Sequence, residues 1–220
     1  MSTNLTEFEE LVAIDVDAPT PIVTFAVRQS IIEFCEETWI MTKDFNYVMD
    51  DEEVEDEIND YIDINLAEFA ADTRPLGIVT LFIDGTQWDT FHKEIVVDIP
   101  DYTSVFSSEV KFFSFPNNST LRLYNIASTS TNITLAIAFK PIQTVTAIDD
   151  FMYEDWLEPI VAGAKYRLLS MPNKEWSDPA SAIHNLTLFK SGASKAKKKM
   201  NKGFSKKSTS VQPRSFGNHM

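Results

Sequence analysis

The sequence has one cysteine, three histidines and six glycines in 220 residues, and each scarcity removes a class of chemistry. Cys35 has no second thiol with which to form an internal disulfide, a zinc knuckle or a CxxC redox pair, so it reads as a small buried hydrophobe. His92, His184 and His219 stand far apart, without an HExxH pair or an HxE…PCxxC arrangement. Gly77, Gly85, Gly163, Gly192, Gly203 and Gly217 never cluster, whereas a phosphate cradle needs close glycines to bring backbone N–H groups up to the ligand. Neither a G-x-S-x-G elbow nor an SxxK arrangement gives a credible nucleophile, and Lys190-Ser191-Gly192 reads as a helix interruption. The sequence therefore points away from an enzyme and calls for no metal or cofactor. A hydrolase or transferase would have to gather its site from dispersed residues.

Long apolar runs are missing too. Ile133–Phe139 falls far short of the ~20 residues that cross a bilayer, so a soluble protein without a membrane partner is expected. Met1–Glu10 has neither the basic segment nor the apolar stretch of a secretion signal, which points to the cytosol. Without such a signal the Asn-x-Ser/Thr matches at Asn4, Asn117, Asn118, Asn132 and Asn185 predict no glycans.

What is present is a core. Hydrophobic residues make up 44% of the chain, and 16 Phe and four Trp supply bulk for one large domain with appendages. Charge is abundant but uneven. Residues 1–160 hold 31 acidic and 7 basic side chains, and residues 161–220 hold 2 and 12, so a body of net −24 carries an end of net +10. An acidic body repels nucleic acid. Lys195, Lys197, Lys198, Lys199, Lys202, Lys206 and Lys207, with no acid after Asp178, can hold phosphate or an acidic protein groove.

No repeat of 20 to 50 residues marks a solenoid or propeller. The chain divides into five zones: an N-terminal arm and helix over 1–48, an acidic loop over 49–60, a β-rich part over 61–148, a helical pair over 149–203 and a basic tail over 204–220. In the first, Pro19-Thr20-Pro21 predicts a helix start with Thr20 as cap. Val23, Val27, Ile31 and Phe34 form its apolar stripe, Glu33, Glu36 and Glu37 face elsewhere, and the end is expected at Trp39–Lys43. The acidic run beyond it lacks the D-x-D-x-D-G order of a calcium loop.

The β-rich part alternates at Tyr61–Ile64 and reads as strand over Ile78–Ile83, ending at the Asp84-Gly85 turn. Strands are also expected at Glu94–Ile99, Val110–Phe115, Leu121–Tyr124 and Ile133–Phe139, with prolines after three of them. Such short strands separated by turns predict an antiparallel β-sandwich or a curved sheet. In the last part, Asp149 or Asp150 caps a helix carrying Met152, Trp156, Ile160, Ala164 and Leu168, which Pro159 starts, kinks or divides. Ser177-Asp178-Pro179 then opens a second helix with a stripe of Ala182, Leu186, Phe189, Ala193, Ala196 and Met200. The fold class expected is α+β.

Two segments carry a resemblance. Ala26-Val27-Arg28-Gln29-Ser30-Ile31-Ile32-Glu33-Phe34-Cys35, after Pro19 and Pro21, resembles the "A-x-R-x-A-x-x-E-F-C" opening helix of the neck proteins of tailed bacteriophages, with Ser30 where that pattern often has Ala. Trp156–Pro172 and then Trp176-Ser177-Asp178-Pro179 are similar to their "W-x-x-x-I-x-x-G-A-x-x-R-L-L-x-x-P…W-x-[DN]-P" segment. A β-rich insert separates the two in both cases.

The resemblance implies a non-enzymatic head-to-tail adaptor in the virion neck, assembled in the host cytoplasm. It would form a ring, a dodecamer by family analogy, between the portal protein and the tail tube or nozzle, and pass genomic DNA through its centre. It further implies that the N- and C-terminal helices pack together as scaffold. Trp156, Arg167 and Trp176 would then serve at scaffold or subunit contacts. The acidic loop and the basic tail have no counterpart in the family's pattern; by its charge alone, the tail with its seven lysines is expected to dock into an acidic groove of the portal or a neighbouring subunit. The acidic body suits a channel along which DNA slides without sticking. The alternative is a DNA-associated protein that holds phosphate through Lys195–Lys207.

Overall fold

The computed structural model describes residues 2–49, 61–66, 72–87, 89–90, 112–117, 119–124 and 131–201. The strand expected at Glu94–Ile99, most of the acidic loop, the segment beyond Asn201, and His92 and His219 lie outside them. Within them the fold is α+β, with helices before and after a β-rich middle.

A three-residue strand, β1 (Ser2–Asn4), leads into α1 (Leu5–Ala13). The Asn4 side chain accepts the Thr6 N–H and so satisfies one of the free donors of the first turn. Leu5, Phe8 and Val12 put one face of α1 into the core. Neither element was anticipated from the sequence.

The next helix, α2 (Thr20–Thr38), corrects the expected cap. Pro19 holds the cap position and Thr20 is already helical. The Pro19 carbonyl accepts from Ile22 and Val23, and Pro21 loses nothing because first-turn N–H groups have no intrahelical acceptor. The stripe Val23, Val27, Ile31 and Phe34 is buried as anticipated, joined by Ala26, Ser30 and Cys35. The helix ends at Trp39, whose left-handed backbone (φ 54°) turns the chain out. That conformation is unusual for a bulky side chain. The indole lies against Gly77, where a Cβ would approach its ring to 2.9 Å.

After α2 the chain enters a strand, inside the zone read as arm and helix. This strand, β2 (Thr42–Met49), pairs antiparallel with β9 (Thr131–Pro141), which pairs antiparallel with β4 (Thr73–Ile83). The short β5 (Thr86–Gln87) returns beside β4 through the Asp84-Gly85 turn, completing the order β2-β9-β4-β5. A second sheet is built from β3 (Tyr61–Asn65), β6 (Asp89–Thr90), β7 (Phe112–Asn117) and β8 (Thr120–Tyr124) in the order β3-β8-β7-β6. Its β6–β7 pair is parallel, a departure from the antiparallel expectation. β10 (Ala147–Asp149) pairs with β1.

Alternation along the strands sends Ile64, Leu81, Ile83, Leu121, Leu123, Ile133, Leu135 and Ile137 inward, where they join the helices in one continuous core. Two long helices complete the fold, α3 (Asp150–Leu169) and α4 (Pro179–Asn201). Asp149 occupies the cap position of α3 without a side-chain bond, and Asp150 instead accepts from the Thr3 hydroxyl at 2.7 Å. Pro159 kinks α3 one turn upstream, at Trp156 (φ −130°, ψ 16°), because residue 155 loses its helical donor.

α4 begins as anticipated. Asp178 accepts from the N–H groups of Ala180 and Ser181 and from the Ser181 hydroxyl. It is unbroken through Lys190-Ser191-Gly192, which corrects the expected interruption. Gly192 serves close packing there, since a Cβ would come within 2.3 Å of Pro159. Both α3 and α4 pack on α2.

Candidate functional site

The two segments that carry the family resemblance meet along the α2–α3 contact. Ser30, fully buried on α2, donates to the Ile160 carbonyl of α3 at 2.6 Å. Gly163 makes that approach possible. A Cβ there would lie 2.3 Å from the Ser30 hydroxyl and 2.6 Å from the Phe189 ring.

Toward the end of α3, Arg167 forms an ion pair with Glu33 of α2. Lys190 of α4 joins the same carboxylate at 3.5 Å and also bonds Glu37. The Glu37 contact, more than any other, holds the Lys190 ammonium above its ordinary pKa. Glu33, read from the sequence as facing away, is thus the shared acid of a three-helix cluster. The available signal was its place in the motif.

Trp156 is 8% exposed and packs on Phe34, with ring centres 5.7 Å apart. Lys199 stands with its Nζ 5.5 Å from the Trp156 ring centre and bonds Asp155 at 2.8 Å. The Trp156 and Trp176 indole N–H groups are buried without a hydrogen-bond partner among the described residues. Trp176 is half-buried between α3 and α4, with Lys174 above it. Each of Trp156, Arg167 and Trp176 therefore has contacts within its own chain.

Of the seven lysines, Lys195, Lys197 and Lys198 are exposed on the last turns of α4 and Lys199 is tied to Asp155. Lys202, Lys206 and Lys207 lie outside the described residues. The first four belong to an ordered helix whose Ala193 and Ala196 are buried. Truncation after Gly192 would therefore cut into the core.

A feature that the sequence reading missed is a groove of about 920 Å3 between the end of α1 and the α3–α4 pair. Its apolar surface includes Leu157, Val161 and Leu188, and Ile14 stands at 75% exposure on its wall. The signals were Ile14 just beyond α1 and Leu188 off the α4 stripe. Ser181 and the exposed His184 line it, and the Ser181 hydroxyl donates to Asp178 as part of the helix cap.

Among the described residues no group of three or more His, Cys, Asp or Glu is placed to hold a metal ion. No described helix is long and apolar enough to cross a membrane. No protein-family model matches the chain, and no curated protein matches it.

Proposed function

We propose that this chain is a structural virion protein, a head-to-tail adaptor. A ring of copies, twelve by analogy with the family it resembles, joins the portal protein to the tail tube or nozzle and surrounds the DNA path. The observation that carries this reading is the Glu33–Arg167 pair. These are charged positions of two motifs 134 residues apart in sequence, and the resemblance predicts that their helices pack together. The Ser30–Ile160 bond and the close approach at Gly163 join the same two segments.

The reading also accounts for the charge. A body with 31 acidic side chains in its first 160 residues presents phosphate with a repulsive wall. Such a wall lets DNA pass without the counterion release that drives tight binding. The chain has no catalytic duty in this scheme. Lys195, Lys197 and Lys198, with the lysines beyond Asn201, meet acidic surface on the portal or a neighbouring subunit.

The test is sedimentation velocity of the full chain at physiological salt, alone and with the portal ring from the same genome. Co-sedimentation in a fixed multiple without added DNA is the expected result. A chain that sediments separately from the portal would remove the adaptor reading. Retardation of DNA by the full chain that vanishes when the seven lysines are neutralised would favour phosphate binding instead.

A further inference from the structure

We infer that the groove between α1, α3 and α4 is the docking site, in the free chain, for the chain's own basic segment, residues 202–220. Such docking does not depend on whether the chain is an adaptor.

The groove is acidic. Glu154, Asp155 and Glu158 of α3, Asp178 at the start of α4 and Asp15 after α1 line it, against one lining lysine, Lys165, which bonds Asp15 at 2.5 Å. The net lining charge is therefore −4, or −3 when Lys199, which pairs with Asp155 from the last turn of α4, is included. Residues 202–220 carry Lys202, Lys206, Lys207 and Arg214 with no acid, a net +4. The match extends to apolar surface: the segment has Phe204, Val211 and Phe216 to set against Ile14, Leu157, Val161 and Leu188. An occupant that was only cationic would leave this surface wet, and one that was only apolar would bury unpaired carboxylates.

Position selects the chain's own segment over other basic peptides. Lys199, in the last turn of α4, bonds Asp155, itself a lining residue, so the chain leaves the helix beside the groove. Nineteen residues reach about 60 Å when extended. The α4 helix alongside is 23 residues, roughly 35 Å. The segment therefore has length to turn back along the helix pair, at the high effective concentration that a short tether provides. In an assembly, any acidic partner for these lysines has to compete with this groove.

The experiment places nitroxide labels on the full chain at Ile183→Cys, next in sequence to the lining residue His184 and 68% exposed in the parent residue, and at Ser208→Cys. The buried Cys35 stays unlabelled. Pulsed electron–electron distance measurement at low salt is expected to show a short-distance population. That population should disappear on the order of 1 M salt, where screening extends only about 3 Å. It should also disappear in Glu154→Lys/Glu158→Lys and, independently, when Lys202, Lys206, Lys207 and Arg214 are all changed to Gln. An Asp44→Lys control on β2 should retain it. Dilution with excess unlabelled chain should leave it unchanged. A distribution insensitive to both sets of charge changes would overturn the inference, and a short distance lost on dilution would overturn it by assigning the contact to a second copy.

Discussion

Gly192 of α4 rests on Pro159 of α3 so closely that a Cβ at 192 would come within 2.3 Å of the proline Cβ and 2.8 Å of its Cγ. The proline that deprives α3 of a backbone donor also fills the contact surface, and a glycine in mid-helix accommodates it.

Gly192→Ala is therefore expected to destabilise the protein even though alanine is the better helix former. In an exposed helix interior the change gains about 1 kcal/mol. Overpacking a close contact costs about 1–3 kcal/mol, and the neighbouring atoms belong to a rigid ring rather than a flexible chain end. A fall in Tm of several degrees is expected by calorimetry. Ser194→Ala, at an exposed site two residues on, should change it little. Equal behaviour of the two variants would contradict the packing argument.

Ser30 and Gly163 should prove energetically coupled. Ser30→Ala removes the buried hydroxyl bond to the Ile160 carbonyl and should cost about 1 kcal/mol. Gly163→Ala drives a methyl group into the Ser30 hydroxyl and the Phe189 ring and should cost more. Removing the hydroxyl relieves one of those two clashes, so the double variant should lose less than the sum of the singles. Chemical denaturation of the four proteins measures the difference, and strict additivity would speak against the contact.

The helical stripes of α2, α3 and α4 were legible because each repeats at the helical period and each begins near a proline or an acidic cap. Asp84-Gly85 was legible as a turn for its local chemistry. β2 was not, because Phe45, Tyr47 and Met49 make only a short apolar alternation and the strand comes directly after a strong helix. Lys190-Ser191-Gly192 misled for a related reason: propensity reports the isolated helix, while the contact with Pro159 is made across the fold. The same limit applies to Glu33 and to the groove. Periodicity places a residue on a face, and only the fold decides what stands opposite it.

The Glu33–Arg167 pair is open to a double-mutant cycle. Both side chains are about one-third exposed, so solvent screens the attraction and the coupling should be modest, about 0.5–1 kcal/mol. Glu33→Gln and Arg167→Gln should each lower the denaturation midpoint, and the pair together should lose less than the sum. Raised salt should shrink the coupling. Because Lys190 shares the carboxylate, Glu33→Lys should be the most damaging of the set, placing three cations together. A coupling of zero at low salt would show that the contact contributes nothing to stability.

Cys35 makes a prediction in pH. Burial, reinforced by the charges of Glu36 and Asp149, pushes the thiol up from 9.0 to about 12. The native chain thus holds the thiol neutral at a pH where the unfolded chain releases its proton. The corresponding stability is complete below about pH 9 and is lost as pH rises from there toward 12, at about 1.4 kcal/mol per pH unit. Cys35→Ala removes this titration. It should lower stability at neutral pH by leaving space in the core, and should show a shallower alkaline decline than the parent. Denaturation midpoints between pH 8 and 11 separate the two curves. In the same range the native thiol should react with a disulfide reagent only at the rate of local opening, and fast labelling of the folded protein at pH 8 would refute the burial assigned to Cys35.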